Sequence, residues 1–150
     1  MFMITKNGYD KLQEELKFLL EVERPRTLEL LENSRVFGEA DMLEDSEYVF
    51  ACAEQDKIEN RIAYIDGLIR EAKVVEIYDH YDTVQFGATI TLLDCDTDKE
   101  QTYQIVSSIE SNPSQGLISI EAPIIKEFLG SKVGETAYFN DKEYELLAIQ

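Results

Sequence analysis

Tyr48-Val49-Phe50-Ala51-Cys52-Ala53-Glu54-Gln55-Asp56-Lys57-Ile58-Glu59-Asn60-Arg61-Ile62-Ala63-Tyr64-Ile65-Asp66-Gly67-Leu68-Ile69 is the stretch whose periodicity decides the fold. Tyr48, Ala51, Gln55, Ile58, Ile62, Ile65 and Ile69 recur at alternating steps of three and four. On a helix that spacing draws one apolar stripe, a heptad seam that needs a partner. Upstream, Leu12, Leu16 and Leu19 take the same steps, and after Pro25 the apolar positions resume as Leu28, Leu30 and Leu31. Two helices joined by a short connector pack as antiparallel neighbours, so the stripes are expected to cover each other. Thr5 is the expected N-cap of the first helix, and Gly38 its end, since glycine accepts the left-handed conformation of helix termini. Each arm of about 28 residues at about 1.5 Å rise would reach roughly 40 Å. Pro25 lacks an amide hydrogen and is expected to kink or interrupt the rod, flanked by Arg24 and Arg26 as solvated charges.

Between the arms, Gly38-Glu39-Ala40-Asp41-Met42-Leu43-Glu44-Asp45-Ser46-Glu47-Tyr48 places five carboxylates in eleven residues. Asp41 and Glu44 are three apart, which on a helix puts their Cβ atoms within about 5–6 Å, close enough to share one cation. Magnesium accepts one or two carboxylates and keeps water or phosphate oxygens for its other positions. Such a pair would bind it weakly alone and would serve to complete a site built elsewhere, as in two-metal phosphoryl chemistry. The same residues also read as a capping box favoured by the positive end of a helix dipole. Periodicity and charge alone favour the cap and a solvated acidic face over the metal role.

After Val75 the helical period gives way to short β-branched runs. Strands are expected at Thr83 to Leu93, Gln101 to Ser107, Leu117 to Ile120, Thr136 to Phe139 and Tyr144 to Ile149. Pro123 to Leu129 reads as one short helix ending at Gly130. The fold class is therefore α+β: a helical hairpin over residues 1–76, then a small sheet domain over 77–150. Asp94, Asp96 and Asp98 alternate like the start of a calcium loop, but Lys99 stands where that loop needs glycine and Ile105 where it needs glutamate. A solvated hairpin turn is expected instead.

The net charge of -17 divides as 10 basic against 18 acidic residues before Ile77 and 4 against 13 from there on. Neither half supplies the cationic face that holds nucleic acid by phosphate neutralisation, so any nucleic-acid contact must be local or brought by a partner protein. A positively charged partner would be attracted at long range. No apolar run has the length of a membrane span, and residues 1–9 lack the pattern of a secretory signal. A cytoplasmic chain is expected. Cys52 and Cys95 have no C-x-x-C spacing and read as reduced bystander thiols, and His80 as a surface residue of its Tyr78–Asp82 connector.

Several spaced motifs in one order resemble the bacterial Gre transcript-cleavage factors over essentially the whole chain, nearer the GreA type than the more basic GreB. They include Ile4-Thr5-Lys6-Asn7-Gly8-Tyr9, Arg24-Pro25, the set Asp41, Glu44, Glu47 and Tyr48, Phe86-Gly87-Ala88-Thr89, Thr102-Tyr103-Gln104-Ile105-Val106, Gly116-Leu117-Ile118-Ser119-Ile120 and Leu129-Gly130-Ser131-Lys132-Val133-Gly134. The resemblance implies a coiled-coil hairpin followed by an FKBP-like domain that docks on RNA polymerase. The hairpin would enter the secondary channel, where Asp41 and Glu44 would help hold Mg2+ and a water for hydrolysis of backtracked RNA. Tyr48 would brace the tip, and contact with the RNA 3′ end and other nucleic acid would come through the polymerase complex. The protein would be a monomer and no enzyme by itself. Glu39 and Ala40 stand between Gly38 and Asp41, so a second register, with Glu39 as first ligand, stays open. Two alternatives remain: a regulator of the same shape that occupies the channel without promoting cleavage, and a prolyl isomerase or chaperone built on the second domain.

Overall fold

The computed structural model describes residues 1–35 and 46–150. They form two compact units, one of Tyr9–Ala72 and one of Met1–Gly8 with Lys73–Gln150. In chain order the elements are β1 (Phe2–Thr5), α1 (Lys6–Phe18), a π turn (Leu19–Glu23), α2 (Arg24–Ser34), α3 (Ser46–Glu71), β2 (Ala72–Val75), β3 (Thr89–Asp94), β4 (Lys99–Val106), β5 (Leu117–Ser119), α4 (Pro123–Phe128), β6 (Thr136–Phe139) and β7 (Lys142–Ile149). The α+β class read from the sequence holds.

In the helical unit, α3 packs through the expected seam. Leu19, Ile58, Ile62 and Ile65 are buried together, with Leu12, Leu16 and Ile69 against them. Full burial of each such side chain contributes about 1.5–3 kcal/mol, which is why the seam, and not helix propensity, holds the pair. The helices run antiparallel: Glu15 pairs with Arg61, Arg24 with Glu59 and Arg26 with Glu54, one number rising as the other falls.

Pro25 does not interrupt the rod. Phe18, Glu23 and Arg24 all keep right-handed helical dihedrals. The turn before the proline widens instead, and the Arg24 amide donates to the Leu19 carbonyl five residues back. In a regular α-turn the Pro25 ring would strike the carbonyl four residues earlier, and the wider turn relieves that clash.

The wider turn also inserts one residue into the heptad. Steps continued from Leu19 would bring positions 23, 26, 30 and 33 inward, but Thr27 and Ser34 are the buried residues of α2. Leu28, expected in the seam, is 45% exposed, while Leu30 and Leu31 are half-buried. The buried hydroxyls are satisfied within their own helix: Thr27 Oγ1 donates to the Arg24 carbonyl at 2.9 Å and Ser34 Oγ to the Leu31 carbonyl at 2.7 Å.

In the second unit β1 pairs with β2, and a five-stranded mixed sheet has the order β5-β4-β3-β7-β6. Only the β4–β5 pair is parallel. Ile90, Leu92, Ile105, Ile118, Leu146 and Ile149 form its core with Ile125 and Phe128 of α4. The first expected strand begins at Thr89 and not at Thr83. Gly87 adopts φ +89°, outside the strand region, and Val84 turns its amide to the Ser131 carbonyl. The pairing β1–β2 went unforeseen because each strand is four residues long and partly exposed, too short for a period to register.

Candidate functional site

Helices α2 and α3 flank residues 36–45, and both candidate ligands, Asp41 and Glu44, lie in that segment, outside the described residues. So do Gly38, the competing ligand Glu39, and the capping-box reading of Asp41 and Glu44. What is described is the mounting. Leu30, Asn33, Ser34, Ser46, Glu47 and Phe50 line a cleft between the end of α2 and the start of α3. Glu47 lies in the first turn of α3, where the helix dipole favours a carboxylate. Tyr48 is half-buried at the first seam position of that helix.

Ion pairs join the two arms along their exposed flank. Arg24 meets Glu59 in a two-pronged contact, Nε to Oε1 at 2.9 Å and Nη2 to Oε2 at 2.8 Å. Arg26 bridges Glu23 at the end of the π turn and Glu54 of α3, at 2.9 and 3.3 Å. The arginines beside Pro25 keep the solvent exposure expected of them and in addition pair across the two arms. The Arg24 hydrogen bonds outweigh desolvation and hold the Glu59 carboxyl below its ordinary range, while Arg24 itself is raised. Arg61 joins Glu15 at 2.7 Å and lies over the Tyr64 ring, 5.4 Å from its centroid.

Away from the shaft the remaining candidates resolve. Asp94, Asp96 and Asp98 form a hairpin turn between β3 and β4, with Asp94 Oδ1 accepting from the Asp96 amide at 3.0 Å and Asp98 at φ +56°. Burial pushes the Asp94 carboxyl up, but the Asp96 amide, Lys142 and Thr97 more than offset it and leave it lowered. That carboxylate is used as a turn acceptor. Among the described residues no group of three or more His, Cys, Asp or Glu is arranged to hold a metal. Burial and the carboxylates of Glu143, Glu145, Asp96 and Asp94 push the Cys95 thiol up, which makes it a poor nucleophile. His80 is exposed and pairs with Asp82 at 2.9 Å. Among the described helices none is long and apolar enough to cross a membrane.

One cluster escaped the sequence reading. The Glu110 carboxylate accepts from the Thr5 amide at 3.2 Å, from Thr5 Oγ1, from the Ser107 amide at 3.2 Å and from Ser107 Oγ at 2.6 Å. Thr5 Oγ1 in turn accepts from the Gly8 amide at 3.1 Å, which is the expected N-cap of α1. A Cβ on Gly8 would run into the Glu110 side chain. The spacing Ser107-x-x-Glu110 is itself a capping-box signature and was the available clue.

Two family models match the chain: "Transcription elongation factor, N-terminal" over residues 2–74 and "Transcription elongation factor, GreA/GreB, C-term" over residues 70–150. A transcription elongation factor GreA of Agrobacterium fabrum is 39% identical over 152 residues, covering 98% of this chain and 95% of that protein. One from Nautilia profundicola is 38% identical over 138 residues, covering 91% of this chain and 84% of its own length. Among solved structures, the GreA factor homolog 1 (Gfh1) of Thermus thermophilus is 25% identical with a TM-score of 0.44, covering 99% of this chain and 97% of that one.

Proposed function

This chain belongs to the GreA/GreB family of transcription elongation factors, and from that premise we propose that it stimulates RNA polymerase to cleave backtracked RNA by donating the carboxylates of Asp41 and Glu44. The observation that carries the reading is position: an aspartate and a glutamate three apart, in the segment between two paired helices. Both side chains offer hard, anionic oxygens, the donor class that Mg2+ prefers, and two such ligands leave positions for water and phosphate. Asp41 and Glu44 would hold the ion jointly with the polymerase active centre. When bound, the ion supplies charge stabilisation and a more acidic water for hydrolysis of the RNA backbone.

The protein's own contribution is positioning. The Ile58–Ile69 seam packs one arm against the other, with the Arg24–Glu59 and Arg26–Glu54 pairs across it, so the two helices that carry the segment reach the polymerase channel as a pair. The sheet unit docks on the polymerase, RNA and its 3′ end are met inside that complex, and the chemistry belongs to the polymerase. The test is RNA shortening in stalled elongation complexes. Wild-type protein is expected to accelerate it, and Asp41→Asn or Glu44→Gln to abolish most of the acceleration while still binding polymerase. Acceleration unchanged in both variants would remove these carboxylates from the mechanism. Binding without acceleration by the wild type would instead mark a channel-occupying regulator.

A further inference from the structure

The helical hairpin is built in two unlike sections that meet at the π turn. On one side Leu12, Leu16 and Leu19 pack with Ile58, Ile62, Ile65 and Ile69, large aliphatic groups throughout. Beyond it the seam residues of α2 are Thr27, Leu30, Leu31 and Ser34, and those of α3 are Tyr48, Ala51 and Gln55. Thr27 is 1% exposed and Ala51 fully buried, so small or hydroxylated groups occupy the centre of this section. Among the described residues of this section the buried apolar side chains are few and small, so the driving force, which scales with the apolar area removed from water, is smaller there. Polar contacts substitute: the pairs Arg24–Glu59 and Arg26–Glu54 lie at its boundary, on side chains more than a fifth exposed and open to screening.

The π turn makes this division sharp. It adds one residue to the first arm, so α1 and α2 meet the single register of α3 in different phases, and on that arm packing passes from one section to the other only across the inserted residue. We propose that the π turn at Leu19–Glu23 is a built-in hinge, across which residues 24–34 with 46–57 open as a cooperative unit separate from, and less stable than, residues 9–19 with 58–71. Sections of unequal packing within one fold open at unequal free energies. The side chain that sets the lower value is Thr27, whose buried hydroxyl takes the place of an aliphatic group.

Amide hydrogen exchange on the full chain tests this. The expected profile has two levels of protection, with the step at residues 19–23 of the first arm and near residue 57 of α3. Thr27→Val exchanges the buried hydroxyl for a methyl group and is expected to raise protection roughly fivefold, in residues 24–34 and 46–57 alone. A chain lacking Glu21 and carrying Pro25→Ala, which removes the insertion and the ring that requires it, is expected to lose the step. A single protection level along both arms would overturn the hinge. So would a smooth decline without a step, the pattern of fraying, or a Thr27→Val effect spread equally over Ile58–Ile69. Should the deletion chain fail to fold, the wild-type profile and Thr27→Val still decide.

Discussion

Glu110 is expected to behave as a clip whose removal reverses the sign of a second mutation. Its carboxylate accepts four hydrogen bonds, two from backbone amides of residues that are 5% and 4% exposed, Thr5 and Ser107. Glu110→Ala leaves those amides without an acceptor, while the two hydroxyls can turn to other partners. A buried unsatisfied amide costs about 1–3 kcal/mol, so two of them span about 2–6 kcal/mol, and the half-exposed position of Glu110 places the loss in the lower part, about 2–4 kcal/mol. Gly8→Ala should cost a comparable amount in the parent, because the new methyl group collides with the Glu110 side chain. In the Glu110→Ala background the obstacle is gone, and alanine outranks glycine in a helix by about 1 kcal/mol. Gly8→Ala should then stabilise. The assay is urea unfolding followed by circular dichroism on the parent, both single variants and the double variant, with exchange at the Thr5 and Gly8 amides as a local readout. Additive losses, or Glu110→Ala within about 0.5 kcal/mol of the parent on the scale of surface substitutions, would show that Glu110 is no clip.

Further expectations follow from single features. Gly87→Ala meets both a left-handed backbone at φ +89° and contacts of 2.7 Å to Ile77 Cδ1 and 2.9 Å to the Tyr81 hydroxyl. It should cost about 2–4 kcal/mol in thermal or urea unfolding. Gly130→Ala, at φ +81° with nothing within 4 Å, should cost about 1–2 kcal/mol, and equal losses at the two sites would discount the contacts. The Glu59 carboxyl is lowered in the folded protein, so its pairing with Arg24 adds stability above the unfolded carboxylate range and loses it as pH falls through the folded value. A double-mutant cycle with Arg24→Gln and Glu59→Gln should give coupling at pH 7 that shrinks with added salt and vanishes toward pH 2. Coupling as large in acid as at neutrality would contradict the pairing.

Much of this was legible in the residues, and the failures have physical causes. Ile58, Ile62, Ile65 and Ile69 announce α3 because one helix can satisfy a strict three-four alternation without interference. The first arm misled because Pro25 demands a wider turn, the wider turn adds a residue, and every seam position beyond it moves by one. Leu28 consequently gave way to Thr27, whose hydroxyl is hidden by a backbone bond that composition does not reveal. Most of the expected strands were found close to their bounds, since turns such as Asn140-Asp141, both at positive φ, punctuate them. The pairing of Arg24 and Arg26 was not legible because their partners Glu59 and Glu54 are about thirty residues away in sequence and adjacent only once the arms close. The candidate ligands Asp41 and Glu44 rest on spacing, donor chemistry and family, with the described structure supplying only their mounting.

The most direct test of the account is the magnesium dependence of RNA cleavage in stalled elongation complexes, measured with saturating wild-type protein and with Asp41→Asn or Glu44→Gln. If the two carboxylates help hold the ion, the wild type should lower the Mg2+ concentration giving half-maximal cleavage, and each variant should move it back up by about tenfold or more, at least the loss that follows when a mere outer-shell partner of a metal ligand is removed. An identical Mg2+ curve for wild type and variants, at undiminished cleavage, would contradict the claim that this chain completes the polymerase's metal site.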